Sequence, residues 1–102
     1  MKEYDIFVPL RYNDGTPIEG RKFQQLHSSL LEHFGGLTYF PQANQGFWKL
    51  GDVSYRDEIV VYRVLAKDSR SSKRYLRALK EQLKAELLQE EILIVERDVE
   101  AL

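Results

Sequence analysis

The run Ile59-Val60-Val61-Tyr62-Arg63-Val64-Leu65-Ala66 constrains this chain more than any other segment. It is almost continuously apolar and rich in β-branched and aromatic side chains, which fit a pleated, packed surface better than a helix. Its flanks extend the segment from Val53 to Lys67, with Gly51-Asp52 as a tight turn in front. The pattern predicts a central strand covered on both faces, interrupted by a single charge at Arg63.

A central strand needs partners, and the segments around it supply them. Tyr4 to Tyr12 alternates, with Ile6, Val8, Leu10 and Tyr12 on one face and Phe7, Pro9 and Arg11 on the other. Pro9 has no N–H to give a ladder, so an unpaired position, a bulge or an early strand end is expected there. Asn13-Asp14-Gly15-Thr16-Pro17 supplies turn chemistry. From Glu19 to Phe34, Phe23, Leu26, Leu30 and Phe34 recur at helical spacing, and Gly35-Gly36 stops the helix. Leu37 to Phe40 and Phe47 to Leu50 read as one bulged strand broken at Pro41 and the polar residues after it. Ser71 or Ser72 caps a second helix reaching about Gln89 on the stripe Leu76, Leu79, Leu83 and Leu87, and Ile92 to Val99 forms a last strand.

The order strand, helix, strand, strand, helix, strand is that of a split βαβ unit. It predicts an α+β, ferredoxin-like fold, a four-stranded antiparallel sheet with two helices on one face. At 102 residues the chain supports one hydrophobic core, so residues 1–102 are expected to form a single domain.

Such a sheet leaves its second face open. If Val60, Tyr62, Val64 and Ala66 face the helices, Ile59, Val61, Arg63 and Leu65 face outward, joined by Phe7 and by residues of the last strand. Exposed apolar patches of that size need cover, because each 100 Å² left wet forfeits about 2.5 kcal/mol of burial. A homodimer packed sheet on sheet is the economical answer.

Composition narrows the function classes. A formal net charge of -1 removes the general electrostatic case for nucleic-acid binding. With no cysteine there is no disulfide, thiolate nucleophile or thiolate metal site. His27 and His33 are six residues apart, which rules out the helical i, i+4 metal pair, and no metal or cofactor is expected. Glu3 and Asp5 break the apolar stretch a secretion signal would need, and no run approaches membrane-spanning length, so the expected location is the cytoplasm.

Two groups of candidate site residues emerge. A ligand set comprises Arg63, a costly charge in an apolar strand, with Arg11 on the same side and the aromatics Trp48 and Tyr39 near glycine turns. The bland alternative for Arg63 is a salt bridge to Glu58, Glu96 or Asp57. The second group is the basic start of helix two, Arg70, Ser71, Ser72, Lys73, Arg74 and Arg77, suited to an anion or an acidic partner surface. Its charge order opposes the helix macrodipole, so local helix stability does not account for it. No catalytic triad or phosphate-binding glycine loop is present.

Phe34-Gly35-Gly36-Leu37-Thr38, then Gly46-Phe47-Trp48, Gly51 and Tyr55-Arg56-Asp57, resembles a group of bacterial ferredoxin-like proteins to which no activity is attached. The resemblance covers residues 34–68 and implies the fold alone. The leading functional expectation is a homodimeric, non-enzymatic binding or interaction module for an anionic ligand or acidic partner. A cofactor-independent enzyme with its pocket in a dimer cavity is the second, and an RNA-binding sheet the third.

Overall fold

Tyr62, at the centre of the apolar run, lies buried in the interior of the sheet. The computed structural model describes residues 1–67 and 70–102. Its elements are β1 (Lys2–Pro9), α1 (Gly20–Phe34), β2 (Thr38–Leu50), β3 (Val53–Ala66), α2 (Arg70–Glu86) and β4 (Ile94–Asp98). The sheet order is β2-β3-β1-β4, all neighbours antiparallel. This is the ferredoxin-like α+β arrangement that the element order predicts.

Alternation along the two inner strands builds the core. Tyr4, Ile6 and Val8 from β1 and Val60, Tyr62, Val64 and Ala66 from β3 point to the helices. Leu26 and Leu30 of α1, Leu76, Leu79 and Leu83 of α2, and Leu87 and Ile92 beyond it close over them. Burying each such aliphatic side chain is worth about 2 kcal/mol. Gly35 ends α1 in the left-handed region, at φ 78°, its N–H bonded to the Leu31 carbonyl.

The end of α2 is less expected. Gln89 N–H reaches the Lys84 carbonyl and Leu88 N–H faces that of Ala85, the paired bonds of a Schellman ending. The left-handed position in it, usually glycine, is Leu88 at φ 53°. A leucine there is strained, and its side chain is 69% exposed.

Several expectations change in detail. β3 is covered by the helices on one face only, because both helices lie on the same side; Val61 and Leu65 look the other way, half-buried and exposed. β2 runs unbroken through Pro41, its irregularity confined between Phe40 and Asn44. Pro9 is the last residue of β1, and Leu10 N–H carries one more bond to β3, at the Glu58 carbonyl. The second helix starts at Arg70, so Ser71 and Ser72 fall in its first turn instead of capping it; residues 68 and 69, where a cap would stand, lie outside the described residues.

β2 and β3 outrun the rest of the sheet. β1 accompanies β3 as far as Ile59, with one further bond from Leu10 N–H to the Glu58 carbonyl, and from Gly46 to Asp57 the two long strands pair with each other alone, turning at Gly51 with φ 60°. This ribbon carries Phe47, Trp48, Leu50, Val53 and Tyr55, all exposed. No helix among the described residues is long and apolar enough to cross a membrane.

Candidate functional site

The strand register assembles the open face of the sheet. Asp5 pairs with Arg63 and Val95, Phe7 with Val61, Pro9 with Ile59, and Phe40 with Val61. Because side chains two apart share a face, Glu3, Asp5, Phe7 and Pro9 project together with Ile59, Val61, Arg63 and Leu65. The same face continues along the ribbon through Asp57 and Tyr55, opposite Gly46 and Trp48.

One end of this face is polar. Arg63 donates from Nε to Asp5 Oδ1 at 2.8 Å and from Nη2 to Oδ2 at 3.0 Å, a two-point grip. Arg97 of β4 adds a third bond, Nη1 to Oδ2 at 2.9 Å. Glu3 stands 3.3 Å from Arg63 and 3.5 Å from Arg97, so two acids and two bases balance. The hydrogen bond from Arg63, ahead of burial and of the Arg97 bond, sets the Asp5 titration, and the net effect holds its carboxyl below the usual aspartate value. Asp5 is 3% exposed, and this pairing makes its burial tolerable. The Arg63 guanidinium also lies over the Phe40 ring, 5.0 Å from its centroid. Asp5, Phe7, Phe40, Asn44, Val61 and Arg63 border a shallow groove of about 380 Å³.

The other end is aromatic and acidic. Trp48 stacks on Tyr55 with centroids 4.4 Å apart and donates its indole N–H to Asp57 Oδ2 at 2.7 Å. The indole is therefore fixed in orientation from two sides. A groove of about 320 Å³ runs between this stack and the sheet, lined by Phe7, Pro9, Gly46, Phe47, Trp48, Asp57, Ile59, Gln89, Glu91 and Leu93. Its charged residues are both carboxylates, and Glu91 also accepts from Lys80 at 3.0 Å. Phe7 borders both grooves, which makes the face continuous.

The sequence-derived ligand set is thereby distributed over separate places. Arg63 is at the polar end and Trp48 at the aromatic end. Tyr39 is on the helix side, stacked on Tyr62 at 4.7 Å and bordering a groove with Phe23 and His27 of α1. Burial, with Tyr39 beside it, pushes the Tyr62 hydroxyl well above its usual range. Arg11 lies past the end of β1, six residues and about 20 Å of strand from Asp5, and donates to the Gly15 carbonyl at 3.1 Å. Arg11 and Arg63 do not meet. Nor are the partners of Arg63 the acids expected: Glu96 accepts from the Tyr4 hydroxyl at 2.8 Å, Asp57 takes the indole, and Asp5 with Glu3 holds the arginine.

On α2, Arg70, Ser71, Arg74 and Arg77 are exposed while Ser72 is buried. Lys73 reaches Glu96 at 3.6 Å. Lys73 and Arg77, together with Lys80, border a groove of about 290 Å³ against β4, floored by Tyr4, Leu76 and Ile94. Among the described residues there is no group of three His, Asp or Glu side chains able to hold a metal ion.

Comparison with known proteins addresses the fold. No family model and no curated protein matches the chain. Among solved structures it is similar to a phage SAM lyase in complex with S-methyl-5′-thioadenosine, with TM-score 0.70 and 14% identity over 95% of this chain and 80% of that one. The apo state of a phage SAM lyase matches with TM-score 0.65 and 16% identity, over 94% of this chain and 78% of that one. At such identities the likeness establishes a shared ferredoxin-like architecture across nearly the whole chain.

Proposed function

We propose that this chain is a small-molecule-handling protein whose site is the aromatic, acidic end of the open sheet face, closed over by a second copy packed sheet on sheet. The observation that carries the reading is the groove beside Trp48. It joins a fixed indole stack and an aliphatic wall to two carboxylates with no cation on its lining. A flat heteroaromatic group with a positive charge matches such a surface, by stacking, by cation–π attraction and by charge. An anion suits it poorly, and an anion at Arg63 would have to displace Asp5 and Glu3. The carboxylates also oppose the phosphates of RNA, which disfavours nucleic acid.

The solved neighbours supply a specific candidate. They are lyases of SAM, a sulfonium cation carried on adenosine, and one holds S-methyl-5′-thioadenosine. A cofactor-independent enzyme acting on an adenosyl sulfonium is the most concrete form of the proposal, and a binding protein for such a compound is the simpler one. The apolar strip between the grooves, Phe7, Ile59, Val61 and Phe40, supports sheet-to-sheet association, since a second copy would bury it and enclose the ligand.

Trp48 is the sole tryptophan, so its emission reports on this groove. Titration of the protein with SAM and with S-methyl-5′-thioadenosine is expected to change the emission saturably, with heat of binding in calorimetry and a dimeric mass by light scattering. An unchanged spectrum and no heat at millimolar ligand would overturn the ligand reading, and a monomeric mass the association. Release of S-methyl-5′-thioadenosine from SAM, followed by chromatography, separates enzyme from binding protein.

A further inference from the structure

We propose that the outer edge of β4, together with the basic side of α2, is a docking site for an extended acidic peptide, which adds to the sheet as a fifth strand. β4 is a terminal strand, bonded to β1 on one side only. Phe7 N–H bonds the Leu93 carbonyl and Val99 N–H bonds the Met1 carbonyl. In an antiparallel ladder every second residue faces the partner, so Leu93, Val95, Arg97 and Val99 turn their peptide groups to β1. Ile94, Glu96 and Asp98 therefore present N–H and C=O groups away from the sheet, as a template for another strand.

What lies beside that edge selects the occupant. Lys73, Arg77 and Lys80 follow one another on α2 at spacings of four and three, a single side of the helix, and border the groove that Ile94 and Glu96 share. Two of the three are engaged, Lys73 with Glu96 and Lys80 with Glu91. Arg77, between them, is exposed and has no ion pair among the described residues. Tyr4, Leu76 and Ile94 give the groove an apolar floor. A strand carrying an apolar and an acidic side chain in turn at its helix-side positions, every second residue, would hydrogen-bond to the edge, set the apolar ones on that floor and meet Arg77 with a carboxylate. A second copy of this chain is a poorer occupant, because the same basic side would face itself across an edge-to-edge pair. A nucleic acid would use the cations and leave the strand edge and its apolar floor unused.

The test uses the whole chain and a fluorescein-labelled peptide of the repeat valine–threonine–glutamate–threonine, which as a strand sets valine and glutamate on one face. Anisotropy measures affinity, and hydrogen exchange by nuclear magnetic resonance reports individual amides. Expected are binding that a counterpart with lysine in place of glutamate lacks, new protection of the Ile94, Glu96 and Asp98 amides, and loss of binding when alternate peptide amides are methylated. Arg77→Glu is expected to weaken binding by roughly fivefold or more; Arg77→Gln, which is neutral and smaller in effect, serves if the reversal perturbs the circular dichroism. Equal affinity for the lysine peptide, unchanged protection, or tighter binding of a single-stranded DNA oligonucleotide would overturn the proposal. So would protection of those three amides that grows with protein concentration alone, which would make a second copy the occupant.

Discussion

Arg63 and Asp5 face each other across β3 and β1 in a two-point hydrogen-bonded grip of 2.8 and 3.0 Å, and the carboxylate in this pair is almost wholly buried. The grip ties the two inner strands together on the face that the helices do not reach. Asp5→Asn removes the charge while keeping the shape, and is expected to lower stability by about 2 kcal/mol, as for hydrogen bonds to charged groups. Denaturant melts check this.

The same pair sets a pH signature. The folded-state carboxyl of Asp5 is held below its ordinary value of 3.8, so its contribution is fully present above that value and is lost as pH falls through the folded value. The stability gap between the native chain and Asp5→Asn is therefore expected to stay constant through neutral pH and to narrow below pH 3.8. Chemical melts at a series of acidic pH values measure it, and a gap that persists undiminished at the acid end contradicts the assignment.

Leu88 offers a gain instead of a loss. Its left-handed backbone at φ 53° costs a leucine about 1 kcal/mol that glycine does not incur, and its exposed side chain contributes little packing in return. Leu88→Gly is expected to raise the melting temperature by several degrees. Calorimetry reads the sign directly.

Val61 separates folding from association. It is half-buried on the open face, between Phe7 and Phe40 in the register. In the proposed sheet-on-sheet dimer, Val61→Lys is expected to reduce the mass in light scattering to that of a monomer while costing the monomer fold no more than about 1 kcal/mol. A variant that stays dimeric places the contact elsewhere.

Asp57 discriminates by charge. Its neutral analogue still accepts the Trp48 N–H, so Asp57→Asn is expected to keep the indole in place and to weaken SAM by roughly fivefold, leaving uncharged S-methyl-5′-thioadenosine nearly unaffected. Parallel titrations of both compounds decide it.

Most of the architecture was legible because periodicity carries it. The stripes Leu26–Leu30 and Leu76–Leu79–Leu83 fall on helices, and Val60, Tyr62 and Val64 face them as alternation requires. The site was legible only in part, because it depends on register. Arg63 stands out in the sequence as a charge in an apolar strand, but Asp5, 58 positions away, becomes its partner only through the pairing that sets residue 5 against residue 63. Asp5 interrupts an alternating strand just as Arg63 does, and two opposite charges on inner strands of one sheet were the available clue. Trp48 stands out in the sequence as an aromatic near glycine turns, whereas Tyr39 faces the opposite side, since neighbouring strand residues point apart and the register change between Phe40 and Asn44, being one of two residues, leaves the alternation intact. Leu93 and Glu91 reach the groove from the connection before β4, which no local pattern announces.

The paired ribbon beyond Glu58 has a thermodynamic meaning of its own. Two strands without a third, bearing solvent-facing rings such as Phe47 at 70% exposure, are close to the limit of what holds together in water. Its tip, from Lys49 to Ser54, should therefore open many times more often than the strands beneath the helices, as a unit with its own low melting free energy. Anything that clasps the ribbon repays that deficit, so the order of this hairpin is a gauge of occupancy: frayed when the chain is alone, fixed when it is in company.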